Sequence, residues 1–298
     1  MRILITGVSG QVGSALVTRL RNEEVIAPSC SVIDLAQPNN IAAVLEQLNP
    51  AMIINAAAYT AVDQAETERE LARVVNSVAP DAIARWASAN GVPLIHFSTD
   101  YVFDGHGQAP WREDDATGPL SVYGRTKLDG EDAVRAAGGI FLIIRTSWVY
   151  AATGKNFLRT IARLAREREQ LRIVADQIGA PTSAALIADC VQKMLNGDLV
   201  SFRNLCALSN GVVHLTASGE TSWHGFACAI VEGLRKRGVS LTVDKVIPIK
   251  TEDYPTPAKR PLNSRLDLTR LRQVFKITPA HWLDALKPEL DALAQELR

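Results

Sequence analysis

Cysteine is scarce here. The 298 residues contain four (Cys30, Cys190, Cys206 and Cys228), none in a C-x-x-C pair and none with a histidine at ligand spacing. That excludes a disulfide-stapled fold and a thiolate metal centre, and free thiols point to a reducing compartment. Histidine is scarce too: five scattered residues form no ligand pair, so no metal is expected. Excess charge of either sign is missing, since 32 Lys and Arg balance 32 Asp and Glu. A nucleic-acid partner would require a basic excess or stripe, so none is expected. Long apolar runs are missing as well, and nothing approaches the ~20 residues that cross a bilayer. The opening MRILITG reaches glycine after a short apolar stretch, unlike the longer apolar region of a secretory signal. A cytoplasmic chain without membrane contact is expected. With only 14 Pro and 19 Gly, disordered and fibrous classes are excluded.

What is present is alternation. Short apolar runs at Ile3–Thr6, Val25–Ala27, Met52–Asn55, Leu94–Ser98 and Ile140–Arg145 read as strands buried on both faces. Helix-period segments lie between them, at Val12–Leu20 and from about Leu71 to Ala89. This predicts an α/β fold, a doubly wound, Rossmann-like parallel sheet. Further on, Phe157–Arg168 reads as an amphipathic helix, Leu171–Ala175 as a short strand, Ser183–Leu195 as a helix and His281–Leu297 as a terminal helix. The charge-rich run from Arg163 to Gln170 reads as a solvated face. The later chain predicts a smaller C-terminal α/β substrate-binding lobe. The dinucleotide-binding domain is expected over residues 1–150 with roughly 170–215. The second lobe is expected over roughly 151–169 with 216–298, and a site would lie between the two.

Two motifs carry chemistry. Gly7-Val8-Ser9-Gly10-Gln11-Val12-Gly13 follows the first strand and opens a helix. Glycines there let the backbone approach a pyrophosphate, and the helix N-terminus offers free N–H groups. Strand two, Val25 to Ser31, lacks the carboxylate that accepts a ribose 2′-hydroxyl. The nearest, Asp34, is better placed near the adenine. Ser29 or Ser31 is available to a 2′-phosphate, but no Arg or Lys follows. The expected cofactor is NADPH, with NADH tolerated. The second motif is Tyr123-Gly124-Arg125-Thr126-Lys127, which puts phenol and ammonium on one face of a helix. The cation is expected to lower the phenol pKa, and the phenol can protonate a carbonyl oxygen that receives hydride. Thr99, at the end of the Leu94–Ser98 strand, is placed to hydrogen-bond that oxygen. His96 reads as packed or hydrogen-bonded rather than catalytic.

Together these residues resemble the extended short-chain dehydrogenase/reductase family. More narrowly, several strings resemble the dTDP-4-dehydrorhamnose reductases: NAAAYTAVD at Asn55–Asp63, STDYVF at Ser98–Phe103, RTSWVY at Arg145–Tyr150, DQIGAPT at Asp176–Thr182 and YPTPAKRPLNS at Tyr254–Ser264. They run in order along nearly the whole chain. The resemblance implies Tyr123 as proton donor, Lys127 as its partner and Thr99 beside the reacting carbonyl. It implies Gly7, Gly10, Gln11, Val12 and Gly13 at the pyrophosphate, with Asp34, Ala58, Tyr59, Thr60 and Phe97 along the cofactor. Val62, Asp100, Tyr101 and Trp148 would hold a nucleotide-linked sugar, and Arg260 its diphosphate. Some members dimerise through a metal held by glutamates. The matching positions here are Ala15 and Ala185, which cannot ligate it, so a monomer or a dimer without metal is expected. Three functions remain open at this level. The first is reduction of a nucleotide-linked 4-keto-6-deoxy sugar. The second is dehydration or epimerisation on the same fold. The third is the non-catalytic role of a regulatory subunit of methionine adenosyltransferase, which resembles this family. Dehydratases place Asp-Glu after the Thr, where this chain has Asp100-Tyr101.

Overall fold

A computed structural model describes residues 1–298. Strands β1 (Arg2–Thr6), β2 (Glu24–Ile26), β3 (Met52–Asn55), β4 (Leu94–Thr99) and β5 (Phe141–Thr146) join Val212–His214 in one six-stranded sheet. Its order is β2-β1-β3-β4-β5-Val212–His214, and every pairing is parallel. The order reverses between β1 and β3, which makes a crevice at their carboxyl ends. Alternate residues feed two cores, because side chains along a strand point to opposite faces. Ile3, Ile5, Met52, Ile54, Ile95, Phe97, Leu142 and Ile144 enter one, and Leu4, Ile53, Leu94 and Ile143 enter the other. Burial on both sides is why these strands read as unbroken apolar runs.

The helices are α1 (Gln11–Arg19), α2 (Ile41–Leu48), α3 (Arg69–Arg73), α4 (Ala79–Ala89), α5 (Val122–Ala137), α6 (Phe157–Glu167), α7 (Ala184–Met194), α8 (Leu199–Leu208), α9 (Trp223–Lys236), α10 (Thr269–Val274) and α11 (Trp282–Leu297). The single helix expected from Leu71 to Ala89 is α3 and α4 joined by a π turn, Val74–Val78. That wider turn carries Asn76, whose amide bonds both Tyr59 backbone groups and the Thr126 hydroxyl on α5. α1 packs on α7, with Ala15 partly buried and Ala185 exposed. Within the segment assigned by sequence to the cofactor lobe, Val212–His214 joins the main sheet. Gln170–Val174 instead pairs with Lys245–Ile249, outside it. One core of 44 buried residues runs from β1 through α6 and α9 to Trp282 and Leu286 on α11, so the later chain packs directly on the main sheet.

α5 is fixed by charge as well as by packing. Glu131 accepts from Ser98 Oγ at 2.6 Å and from Arg145 Nε and Nη2 at 2.9 and 2.7 Å, and Arg135 adds a fourth bond. Burial alone would raise the Glu131 pKa. Arg145, Ser98 and Arg135 instead hold it below the usual carboxylate range. Removing one partner of such a pair strands a buried charge. Glu131→Ala is therefore expected to cost about 3–5 kcal/mol in urea denaturation, against about 0–1 kcal/mol for Asp81→Ala in the exposed Asp81–Arg85 pair.

Candidate active site

The site is built where β1, β3, β4 and β5 end. Gly7 after β1 takes a left-handed φ of 69°, and a Cβ there would lie 2.6 Å from Ala57 N. A Cβ on Gly13 would lie 2.2 Å from Gly7 O, so the turn closes onto the first turn of α1 only with glycine at both places. The helix opens at Gly10 with no side-chain cap and no acidic residue in its first turn, leaving N–H groups and a positive dipole end for an anion. A cavity of about 1120 Å³ runs past this turn. At one end it is lined by Pro28, Ser29, Cys30, Asp34 and Leu35. At the other it is lined by Thr99–Tyr101, Tyr123, Lys127 and Trp148. Its size, the uncapped helix terminus and the glycine cradle fit a dinucleotide.

β4 and α5 bring the reacting groups together. Thr99 Oγ1 donates to Asp100 Oδ1 at 3.1 Å and accepts from Tyr101 N. Ser121 caps α5 by accepting from Gly124 N, and Glu66 accepts from Val122 N. A Cβ on Gly124 would sit 2.2 Å from Tyr101 O, so only glycine lets this turn of α5 press against the end of β4. Tyr123 therefore faces Thr99. Lys127, one helical turn on and 2% exposed, donates to Phe97 O at 2.6 Å.

Burial sets the electrostatics. It pushes the Tyr123 phenol well up, against the opposing Thr99 hydroxyl. The lowering expected from Lys127 is not what the structure shows: desolvation raises the phenol, and Asp100 and Tyr101 add to the rise. Burial brings Lys127 down to about 8, opposed by Glu131. Asp100 is pushed up to about 6 by burial, although Ser264 and Thr99 hydrogen-bond it, and its Oδ2 has no partner.

Of the residues expected at the site, the cavity lining brings together Gly7, Gly10, Gln11, Val12, Asp34, Ala58, Thr60, Val62, Phe97, Thr99, Asp100, Tyr101, Tyr123, Lys127 and Trp148. Three lie outside it. Gly13 packs behind the turn. Tyr59 directs its hydroxyl to Glu68 at 2.7 Å. Arg260 is held by Asp63 at 2.7 Å and by the Tyr101 hydroxyl at 3.1 Å. Asp34 turns its carboxylate onto Ala36 N. Trp148 adopts φ 49° and stacks on Trp223 at 3.7 Å, and Gly179 leaves room for its ring. Sequence reasoning missed the strap Thr153–Asn156, which lines the cavity and ties to the glycine turn through Asn156 Nδ2 and Gln11 Oε1 at 2.8 Å. An asparagine directly before the Phe157 helix is an N-cap signal, but nothing in its type shows what its amide grips. It also missed Asp63 and Ser264, which act on Arg260 and Asp100 across long stretches of chain.

A glycine turn on β1 facing a Tyr–Lys pair on α5 defines a nicotinamide-dependent oxidoreductase site of the short-chain dehydrogenase type. The family model described as the RmlD substrate binding domain matches residues 1–295. The dTDP-4-dehydrorhamnose reductase of Escherichia coli is 42% identical, covering 98% of each chain, and that of Burkholderia thailandensis is 46% identical over 95% of each. The crystal structure of dTDP-4-dehydrorhamnose reductase from Bacillus anthracis in complex with NADP superposes with a TM-score of 0.88 at 33% identity, covering 97% of this chain and 98% of that one. This chain belongs to the dTDP-4-dehydrorhamnose reductase family.

The cradle makes its own prediction. With a Cβ 2.2 Å from Gly7 O, Gly13→Ala is expected to open the turn and weaken NADPH binding by at least about tenfold, equivalent to about 1.4 kcal/mol. Titration of nicotinamide fluorescence checks it, with the melting temperature as a control for folding.

Proposed function

We propose that this chain reduces the C4 ketone of dTDP-4-dehydro-L-rhamnose to dTDP-L-rhamnose, with NADPH preferred and NADH accepted. The reading is carried by one observation: Thr99, Tyr123 and Lys127 converge at the end of β4, in the same cavity as the glycine cradle. When bound, the reduced nicotinamide supplies hydride to C4. Thr99 orients the ketone oxygen. Tyr123, whose raised pKa keeps the phenol protonated, gives that proton to the oxygen as negative charge develops there. The resulting phenolate lies one helical turn from the Lys127 ammonium. Val62, Asp100, Tyr101 and Trp148 hold the sugar, and Trp148 is braced by its stack on Trp223. Arg260 forks onto the diphosphate, exchanging its bond to Asp63 for one to phosphate oxygen. The remote diphosphate then supplies binding energy that fixes the sugar for attack.

Dehydration is disfavoured by Tyr101. Burial raises its phenol pKa, and Arg260, which opposes that shift, also occupies its hydroxyl. It is therefore a poor base for abstracting a carbon-bound proton. We further propose a cytoplasmic enzyme acting as a monomer or as a dimer that needs no metal, since the four thiols are free and Ala15 and Ala185 offer no ligand.

Mixing the protein with the ketone and NADPH is expected to consume reduced nicotinamide stoichiometrically. An epimerase would leave it unchanged. Tyr123→Phe is expected to lose about 10²–10⁴ of kcat while still binding NADPH, and unchanged turnover would refute the mechanism. The pH dependence follows from Lys127: its charged form predominates below about 8 and is lost as pH rises through that value. The kcat/KM profile is expected to fall on that alkaline limb.

A further inference from the structure

The reaction leaves two buried imidazoles unused, His96 and His214, and only His96 lies against Lys127. His96 lies on β4, three residues before Thr99, and is 0% exposed. Both its ring nitrogens have partners. Nε2 is 3.4 Å from Lys127 Nζ, and Nδ1 is 3.1 Å from Asn55 Nδ2. Asn55, 1% exposed, takes a bond from Thr6 Oγ1 at 2.6 Å. Thr6, Asn55 and His96 are direct register partners on β1, β3 and β4. A row of polar side chains thus crosses beneath the cavity and ends at Lys127, through a sheet whose other buried positions are mostly apolar. Buried polar groups of this kind are costly unless each is hydrogen-bonded.

The row has a direction. When Thr6 donates to Asn55 Oδ1, Asn55 Nδ2 donates to His96 Nδ1, and the imidazole hydrogen stays on Nε2. An Nε2–H facing Lys127 suits a free amine. An ammonium needs Nε2 as acceptor, which puts the hydrogen on Nδ1 and turns the Asn55 oxygen towards it, with Thr6 accepting instead. The two settings differ in the His96 tautomer, the Asn55 amide orientation and the role of the Thr6 hydroxyl, and each suits a different charge at Lys127. Burial and the neighbouring lysine both push the His96 pKa well down, so the ring is neutral and free to accept.

We propose that His96 is a positioning residue for Lys127: together with Asn55 it determines whether the lysine is held as an ammonium or as a free amine beneath Tyr123. The inference rests on the reading of Lys127 as the charged partner of Tyr123. The titratable and charged groups around this lysine are Tyr123 and Glu131 on α5, His96 on β4, Asp100 just beyond β4 and Arg145 on β5. Glu131, locked to Arg145 and Ser98, stays ionised through the neutral and alkaline range.

The test compares pH profiles of NADPH oxidation by the full chain and by His96→Gln and His96→Asn. The Gln amide reaches the Nε2 position and still meets Lys127, whereas the Asn amide reaches only the Nδ1 position and meets Asn55. With Asn, kcat is expected to fall about tenfold and the alkaline limb to move down by about one pH unit. Gln is expected to restore both. Equal profiles for the two variants, with the limb where the unsubstituted protein has it, would overturn the proposal and leave His96 a packing residue. Imidazole ¹⁵N spectra of the unsubstituted protein give a check that no variant can spoil: hydrogen on Nδ1 below about pH 8 and on Nε2 above it. A tautomer that does not change across that range would equally overturn it. Failure of the underlying reading is separate, because the unsubstituted protein would then oxidise no NADPH with the ketone.

Discussion

Taking an ammonium out of water costs several kcal/mol unless protein groups replace its hydration, and Lys127 is 2% exposed. Its Nζ donates to Phe97 O and lies 3.4 Å from His96 Nε2 inside the protein, and the group also lines the cavity. This requirement dictates much of what surrounds it. α5 has to lie close enough to β4 for a lysine to reach a strand carbonyl. Gly124 allows that approach, since a Cβ there would meet Tyr101 O, just past β4, at 2.2 Å, and Gly130 lets the same helix press on the π turn, where a Cβ would meet Asn76 O at 2.1 Å. The Glu131–Arg145–Ser98 cluster then locks the helix one turn further on and places a negative charge that favours the ammonium.

The sheet order explains why this lysine faces a cofactor. β1 sits between β2 and β3, so the crevice opens where the glycine turn leaves β1, and β4 lies one strand beyond β3. The glycine turn after β1 and the Tyr123–Lys127 pair on α5 therefore line one cleft. The later lobe closes the cleft with three devices from different parts of the chain. These are the Trp148–Trp223 stack, the Asn156–Gln11 bond and the Arg260–Asp63 pair. Each joins residues at least 75 positions apart, so these walls of the cleft exist only in the folded chain.

That distance also marks the limit of reading the chain by eye. β3 is legible to the residue and β1, β2, β4 and β5 to within one, because burial on both faces makes each a bounded apolar run, whereas the short sixth strand, Val212–His214, is not. The cradle and the Tyr–Lys spacing are legible because local backbone geometry dictates residue type. What is not legible is whatever depends on partners far along the chain. Tyr59 sits in a string typical of the family, yet its hydroxyl goes to Glu68. The π turn is invisible in periodicity, since Val74–Val78 continues an acceptable helical pattern while shifting the phase that presents Asn76. The direction of the phenol pKa is not legible either, because spacing shows the nearby cation while the depth of burial that raises the phenol appears only in three dimensions.

Cofactor tolerance follows from the same electrostatics at the far end of the cavity. A carboxylate at the tip of strand two selects NADH by accepting the 2′-hydroxyl and repelling a 2′-phosphate. Here β2 ends at Ile26, and the chain continues into Pro28, Ser29 and Cys30 along the cavity wall. The one nearby acid, Asp34, spends an oxygen on Ala36 N and lies exposed, where solvent screens it. Ser29 and Ser31 share a bond at 2.6 Å and can turn hydroxyls outward to either group. Among the residues lining this end there is neither a carboxylate fixed at the strand tip nor a cation to clamp phosphate. Discrimination there is left to neutral hydroxyls, each worth about 1 kcal/mol.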